Sequence, residues 1–89
     1  MPLISAFYGI TVYMYYTDNV RHHRPHIHVR YSEFEAVFVI DEAILIRGVL
    51  PRSQTRLVQA WIEIHRAELM YNWDLASNNK QPNKIEPLK

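Results

Sequence analysis

Up to Leu50 the apolar positions recur with a period of two, and from Pro51 onward they recur with the period of a helix. "ITVYMYY", Ile10 to Tyr16, is rich in β-branched and aromatic residues and predicts a strand. "LISAFY" before it predicts either a second strand or the first half of one long bent strand, because Gly9 alone is too short for a hairpin turn. "TDNVRHHRP" reads as a polar loop ending at Pro25. "HIHVRY" then alternates strictly, with Ile27, Val29 and Tyr31 on one face and His26, His28 and Arg30 on the other, as in a half-buried strand. After Ser32-Glu33, "FEAVFVI" predicts another strand, and Asp41-Glu42 turns the chain into "AILIRGVL". These segments predict an antiparallel meander of four or five strands.

Between Pro51 and Ser77 no further proline and no glycine interrupts the helical spacing. The pattern predicts one long C-terminal helix packed on one face of the sheet, started by Pro51 or Ser53 and stopped at Asn78-Asn79. The fold class is therefore α+β, with residues 1–79 as a single domain and 80–89 as a polar tail that Ile85 and Leu88 can anchor. On a helical wheel Trp61 heads an apolar stripe with Leu57, Val58, Ile64 and Leu75 around it. His65, Glu68 and Asn72 project near the middle of that stripe, where packing alone prefers leucine. Two readings stand: a structural polar network tethering the helix, which weighs more, or the wall of a site.

Composition narrows the function. A chain of 89 residues that is 48% hydrophobic and 21% charged is an ordinary folded domain with one core. The absence of cysteine excludes disulfides, thiolate metal ligands and a cysteine nucleophile, and fits a reducing cytoplasm. The opening "MPLISAFYGI" does not read as a signal peptide, and the apolar runs "VYMYY" and "AVFVI" are far too short to span a membrane, so the expectation is a soluble cytoplasmic protein. A formal charge of +1 argues against a dedicated electrostatic nucleic-acid binder, and that partner class has weak support. Within the charge there is an asymmetry: every lysine lies in the tail, and all arginines fall between Arg21 and Arg66.

Four of the five histidines lie within "RHHRPHIHV". Neutral imidazole is a common ligand for divalent metals, and His23, His26 and His28 form a candidate ligand set. Alternatively His26 or His28 serves as a general acid or base while Arg24, Arg30, Arg47 and Arg56 hold phosphate. Against both stands an exposed polar strand face with no chemistry. Strand parity puts His26 and His28 on the face opposite the helix, so a site joining them to His65 and Glu68 needs a sheet edge or a strongly twisted strand. No P-loop, dinucleotide fingerprint or nucleophile elbow occurs, and Gly9 and Gly48, the only glycines, cannot build a phosphate cradle.

The opening "MPLISAFYGI" with "MYY", then "RPHIHVRY", "GVLPRSQTRLVQAWIEIHRAELMYNWDLA" and "KIEPL" resembles the domain of unknown function 4160 family, small proteins mainly of bacteria. The motifs that carry it are P-H-x-H-V, G-x-L-P, and the helix segment with His65, Glu68, Leu69, Asn72 and Trp73. Ala6 stands where many members have arginine, and the "NVRHHRPH" loop is longer than the family's usual form. The resemblance implies no assigned activity. It does imply a neighbouring gene for another small protein, in pairs of the toxin-antitoxin kind.

Three functional expectations follow. The first, a non-enzymatic interaction protein, is one component of such a pair and binds a protein partner through its aromatic-rich sheet or an exposed edge; it needs no cofactor. The second is a metal-independent RNase-type toxin using His26 or His28 with the arginines. The third is a metal-binding domain of His23, His26 and His28. Tyr13, Tyr15 and Tyr31 read as core or as an exposed patch, and two-sided strands in so short a chain admit a homodimer.

Overall fold

A computed structural model describes residues 2–15 and 24–89. The strands β1 (Leu3–Phe7), β2 (Ile10–Tyr13), β3 (His26–Tyr31), β4 (Phe34–Val39) and β5 (Ile44–Gly48) form one antiparallel sheet in the order of the chain. "LISAF" is thus a strand of its own. The hairpin that precedes β2 is a two-residue loop, Tyr8-Gly9, with both residues at positive φ (50° and 79°). That pairing of angles matches the right-handed twist of the flanking strands, and Tyr8 enters it although it is not glycine.

Helices α1 (Arg52–Ile64) and α2 (Arg66–Ser77) follow the sheet. The single long helix expected from the sequence is therefore two. At His65 the backbone moves to φ −111°, ψ 23°, although its N–H still donates to the Trp61 carbonyl at 3.0 Å. Neither proline nor glycine marks the break; side chains brace it. The His65 ring lies 5.7 Å from Trp61, and Glu63 pairs with Arg66 across it at 2.7 Å. That guanidinium holds the Glu63 carboxyl below the usual carboxylate range. The buried face of α1 runs through Val58, Trp61 and Ile62, so Ile64, placed on the core stripe by the wheel, lies off it and is 65% exposed. Val58, Trp61 and Ile62 of α1, with Leu69, Asn72 and Ala76 of α2, are the buried positions. At the far end Asn79 takes φ 60°, and the amides of Asn79 and Lys80 donate to the carbonyls of Ala76 and Leu75, closing α2 with a left-handed cap where the sequence predicts a stop.

The core lies between the sheet and the helices. Ile4, Ile10, Val12, Ile27, Val29 and Phe38 meet Val58, Trp61, Ile62 and Leu69 there. From the last ten residues, Ile85 and Leu88 join this core. Ile85 is buried and its N–H donates to the Ile4 carbonyl at 2.8 Å, which lays the tail along the outer side of β1. Trp61 donates its indole N–H to the Glu86 carbonyl at 2.8 Å. Asn72 clasps Asn83 twice, its amide donating to the Asn83 carbonyl at 2.8 Å and its carbonyl accepting the Asn83 N–H at 2.9 Å.

Two stability predictions follow from these contacts. Gly48 sits at φ 84°, and a Cβ there would lie 2.2 Å from the Glu35 carbonyl oxygen, whereas at Gly9 the nearest atom, on the Tyr31 ring, is 3.4 Å away. Gly48→Ala should cost at least about 2 kcal/mol and Gly9→Ala about 1 kcal/mol in denaturant unfolding. Asn72→Ala, which strips both bonds from Asn83, should cost about 2 kcal/mol. It should also speed tryptic cleavage at Lys80 and Lys84 relative to the parent.

Candidate functional site

The parity of β3 divides the sheet as the sequence implies: Ile27 and Val29 enter the core, while His28 and Arg30 stand on the other face. The register carries that division across the strands. His28 pairs laterally with Tyr13 of β2 and Val37 of β4, and Val37 with Arg47 of β5. Arg30 pairs with Thr11 and Glu35 in the same way. Among the described residues the helices pack on the opposite face, and this one is termed the open face.

On it the aromatic side chains form a continuous ladder. Tyr13 and Tyr15 stack at 6.5 Å, Tyr15 meets His28 at 4.3 Å, His28 meets His26 at 5.2 Å, and His26 meets Trp73 of α2 at 5.0 Å. The last contact joins the strand's first residue to the second helix. Tyr13, Tyr15 and His28 are half-buried, whereas His26 is 3% exposed. His26 Nδ1 lies 2.9 Å from the Arg24 carbonyl. A carbonyl only accepts, so Nδ1 is the donor in this bond. His28 is its nearest imidazole, His23 lies outside the described residues, and among the described residues no group of three or more histidine and acidic side chains is placed to hold a metal.

The four arginines of the phosphate reading are placed differently from one another. Arg24 is held by Glu42 and Asp41, the latter at 3.2 Å, which keeps its guanidinium more firmly protonated than usual. Arg30 bonds Glu35 at 3.3 Å and lies 5.6 Å over the Tyr13 ring. Arg47 is exposed and has no ion pair among the described residues. Arg30, Arg47, His28, Glu35 and Val37 line a shallow depression of about 350 Å³. Arg56 lies on α1, which covers the other face of the sheet.

His65, Glu68 and Asn72 do not share one set of bonds. His65 Nδ1 donates to Glu68 Oε1 at 2.6 Å at the start of α2, where a carboxylate also suits the helix dipole, while Asn72 bonds the tail. Glu68 is exposed, whereas Asn72, one turn further along α2, is buried against the tail. Tyr31 packs against the core, unlike Tyr13 and Tyr15.

The sheet's edges complete the site. β1 is flanked by the tail. β5 pairs only with β4, and among the described residues its backbone makes no bond on its outer side. Ile44, Ile46 and Val49 along it are 45%, 54% and 65% exposed. Sequence reasoning missed this apolar edge because a short run such as "AILIRGV" reads alike for an edge and a central strand.

The family model described as Domain of unknown function (DUF4160) matches residues 9–74. The chain belongs to the DUF4160 family. The match runs from the β1–β2 turn nearly to the end of α2, so the DUF4160 segment contains the ladder's histidines, both face arginines and β5. β1 and the tail, which pack on each other, lie outside it. No curated protein and no solved structure matches the chain.

The ladder's two imidazoles should differ in what they hold together. His26→Ala removes a buried ring packed on Trp73 together with its bond to the Arg24 carbonyl, and should cost about 2 kcal/mol. His28→Ala, at a half-buried position, should cost less than about 1 kcal/mol in the same chemical denaturation measurement.

Proposed function

We propose that this DUF4160 protein is a small non-enzymatic interaction protein, one component of a bacterial two-gene module of the toxin-antitoxin kind, and that it binds its protein partner along β5. The observation that carries this reading is the inequality of the two sheet edges. The chain's own tail runs beside β1, while β5 has backbone groups unpaired among the described residues and exposes Ile44 and Ile46, with Val49 just beyond its end. An open apolar edge invites pairing with another strand, and native proteins cover such edges or blunt them.

The form of β5 favours a partner of different sequence over a second copy. Its register slips between Val37 and Phe38 of β4, leaving Ile46 as the extra residue between Leu45 and Arg47. A bulge of this kind twists an edge and spoils regular pairing with an identical strand. A partner segment with apolar residues against Ile44 and Ile46, and a carboxylate near Arg47, fits both features. The neighbouring gene that the family resemblance implies is the natural source of that partner, in the cytoplasm. No helix among the described residues is long and apolar enough to cross a membrane.

Co-expression with the product of the adjacent gene should give a discrete complex by size-exclusion chromatography with light scattering. Ile46→Lys, at an exposed position, should leave the isolated protein folded and weaken the complex at least about tenfold. A complex that survives this substitution together with Ile44→Lys, or a homodimer in its place, would refute the reading.

A further inference from the structure

The tail lies in a groove between β1 and the helices without secondary structure of its own. Residues 80–89 form neither helix nor strand, yet every third residue from Pro82 turns inward: Pro82 and Ile85 are buried, and Leu88 packs on the core. The groove grips the tail by its backbone. Asn72 bonds both the amide and the carbonyl of Asn83, Trp61 donates to the Glu86 carbonyl, and the Ile4 carbonyl accepts the Ile85 amide. We propose that this groove also takes the tail of a second copy, giving a dimer by reciprocal exchange of residues 80–89.

The reversal of the chain before the tail is where exchange begins. Asn83 bonds α2 and Glu86 bonds α1, so the tail runs back along the helices that precede it. The turn is made between Asn79 and Pro82, and Asn79 makes it at φ 60°, a left-handed conformation that costs any residue other than glycine. Short connections under strain invite segment exchange. Straightened, these four residues span at most about 14 Å, which reaches the groove of a copy placed against the end of α2.

Exchange keeps every groove–tail bond, because donor and acceptor have the same sequence, and it alters only the reversal. The amides of Asn79 and Lys80 leave the Ala76 and Leu75 carbonyls, and both residues are exposed, so water replaces those bonds. Relief of the Asn79 backbone favours the dimer; the lost freedom of association opposes it and makes the balance depend on concentration. An unrelated peptide is a poorer occupant. It would have to displace a tethered segment present at millimolar effective concentration, whereas a second copy offers its own groove in return. The exchanged dimer leaves both β5 edges free, so it stands apart from the partner reading.

Size-exclusion chromatography with light scattering tests this on the full chain refolded at about 1 mM and on a chain from which the exposed Gln81 is deleted. The parent should show a monomer and a dimer whose share rises with protein concentration. In the shortened chain the tail falls short of its own groove, and the dimer should be the main species. There Ile85→Ser should raise the dimer's dissociation constant at least about tenfold, since both tails lose a buried apolar group. Ile46→Ser on β5 should leave it unchanged. Monomer alone from either chain overturns the proposal, as does a dimer that is indifferent to Ile85→Ser or broken by Ile46→Ser.

Discussion

The strict alternation of β3 is the constraint on which the rest of the molecule depends. It is the central strand, and a one-residue slip in its register would send Ile27 and Val29 to solvent and drive His28 and Arg30 into the core. The cost of that exchange fixes the register of β2 and β4 on either side. One face thereby becomes the bed for Trp61 and the helices. The other gathers imidazole, phenol and guanidinium groups that no core would tolerate without partners. The placing of His26 and His28 on one side of β3 is thus first a consequence of packing, and the ladder is what those side chains do once they share a face.

The second organising element is the return of the chain to its beginning. Trp61 is buried among apolar side chains, and its indole N–H needs an acceptor; the Glu86 carbonyl supplies one. Asn72 does the same for Asn83. Together these bonds draw the tail along β1, with the Ile85 amide bonded to Ile4. What results, among the described residues, is a sheet with one edge covered and one edge bare, and it is this asymmetry that gives β5 its proposed role.

Much of this was legible in the sequence. Period-two patterning located the strands of the meander, the parity of "HIHVRY" separated core from open face, and Asn78-Asn79 marked the end of the helical region. Ile85 was rightly singled out as an anchor. The helix break was not legible, since no glycine or proline announces it and the contacts beside it, Trp61–His65 and Glu63–Arg66, have spacings that unbroken helices share. The trio His65, Glu68 and Asn72, aligned on a continuous wheel, divides in three dimensions into a local pair and a tail clasp, because a wheel does not show that the tail returns to Asn72. The Tyr8-Gly9 turn was hidden because tyrosine seldom takes a left-handed conformation. The ladder reached further than sequence spacing suggests, through Tyr15 and Trp73, because ring contacts between β2, β3 and α2 join residues distant along the chain. Arg24 and Arg47 look alike in a sequence, yet one is neutralised by the β4–β5 turn and the other has no ion pair among the described residues.

The most direct test of the inequality between the edges is residue-resolved amide hydrogen exchange on the protein alone and with its adjacent-gene partner. In isolation the β5 amides that face away from β4 should exchange fast while the Ile85 amide, bonded to Ile4, is protected; on complex formation the β5 amides should become protected. Protection confined to the helices, with β5 unchanged, would contradict the account.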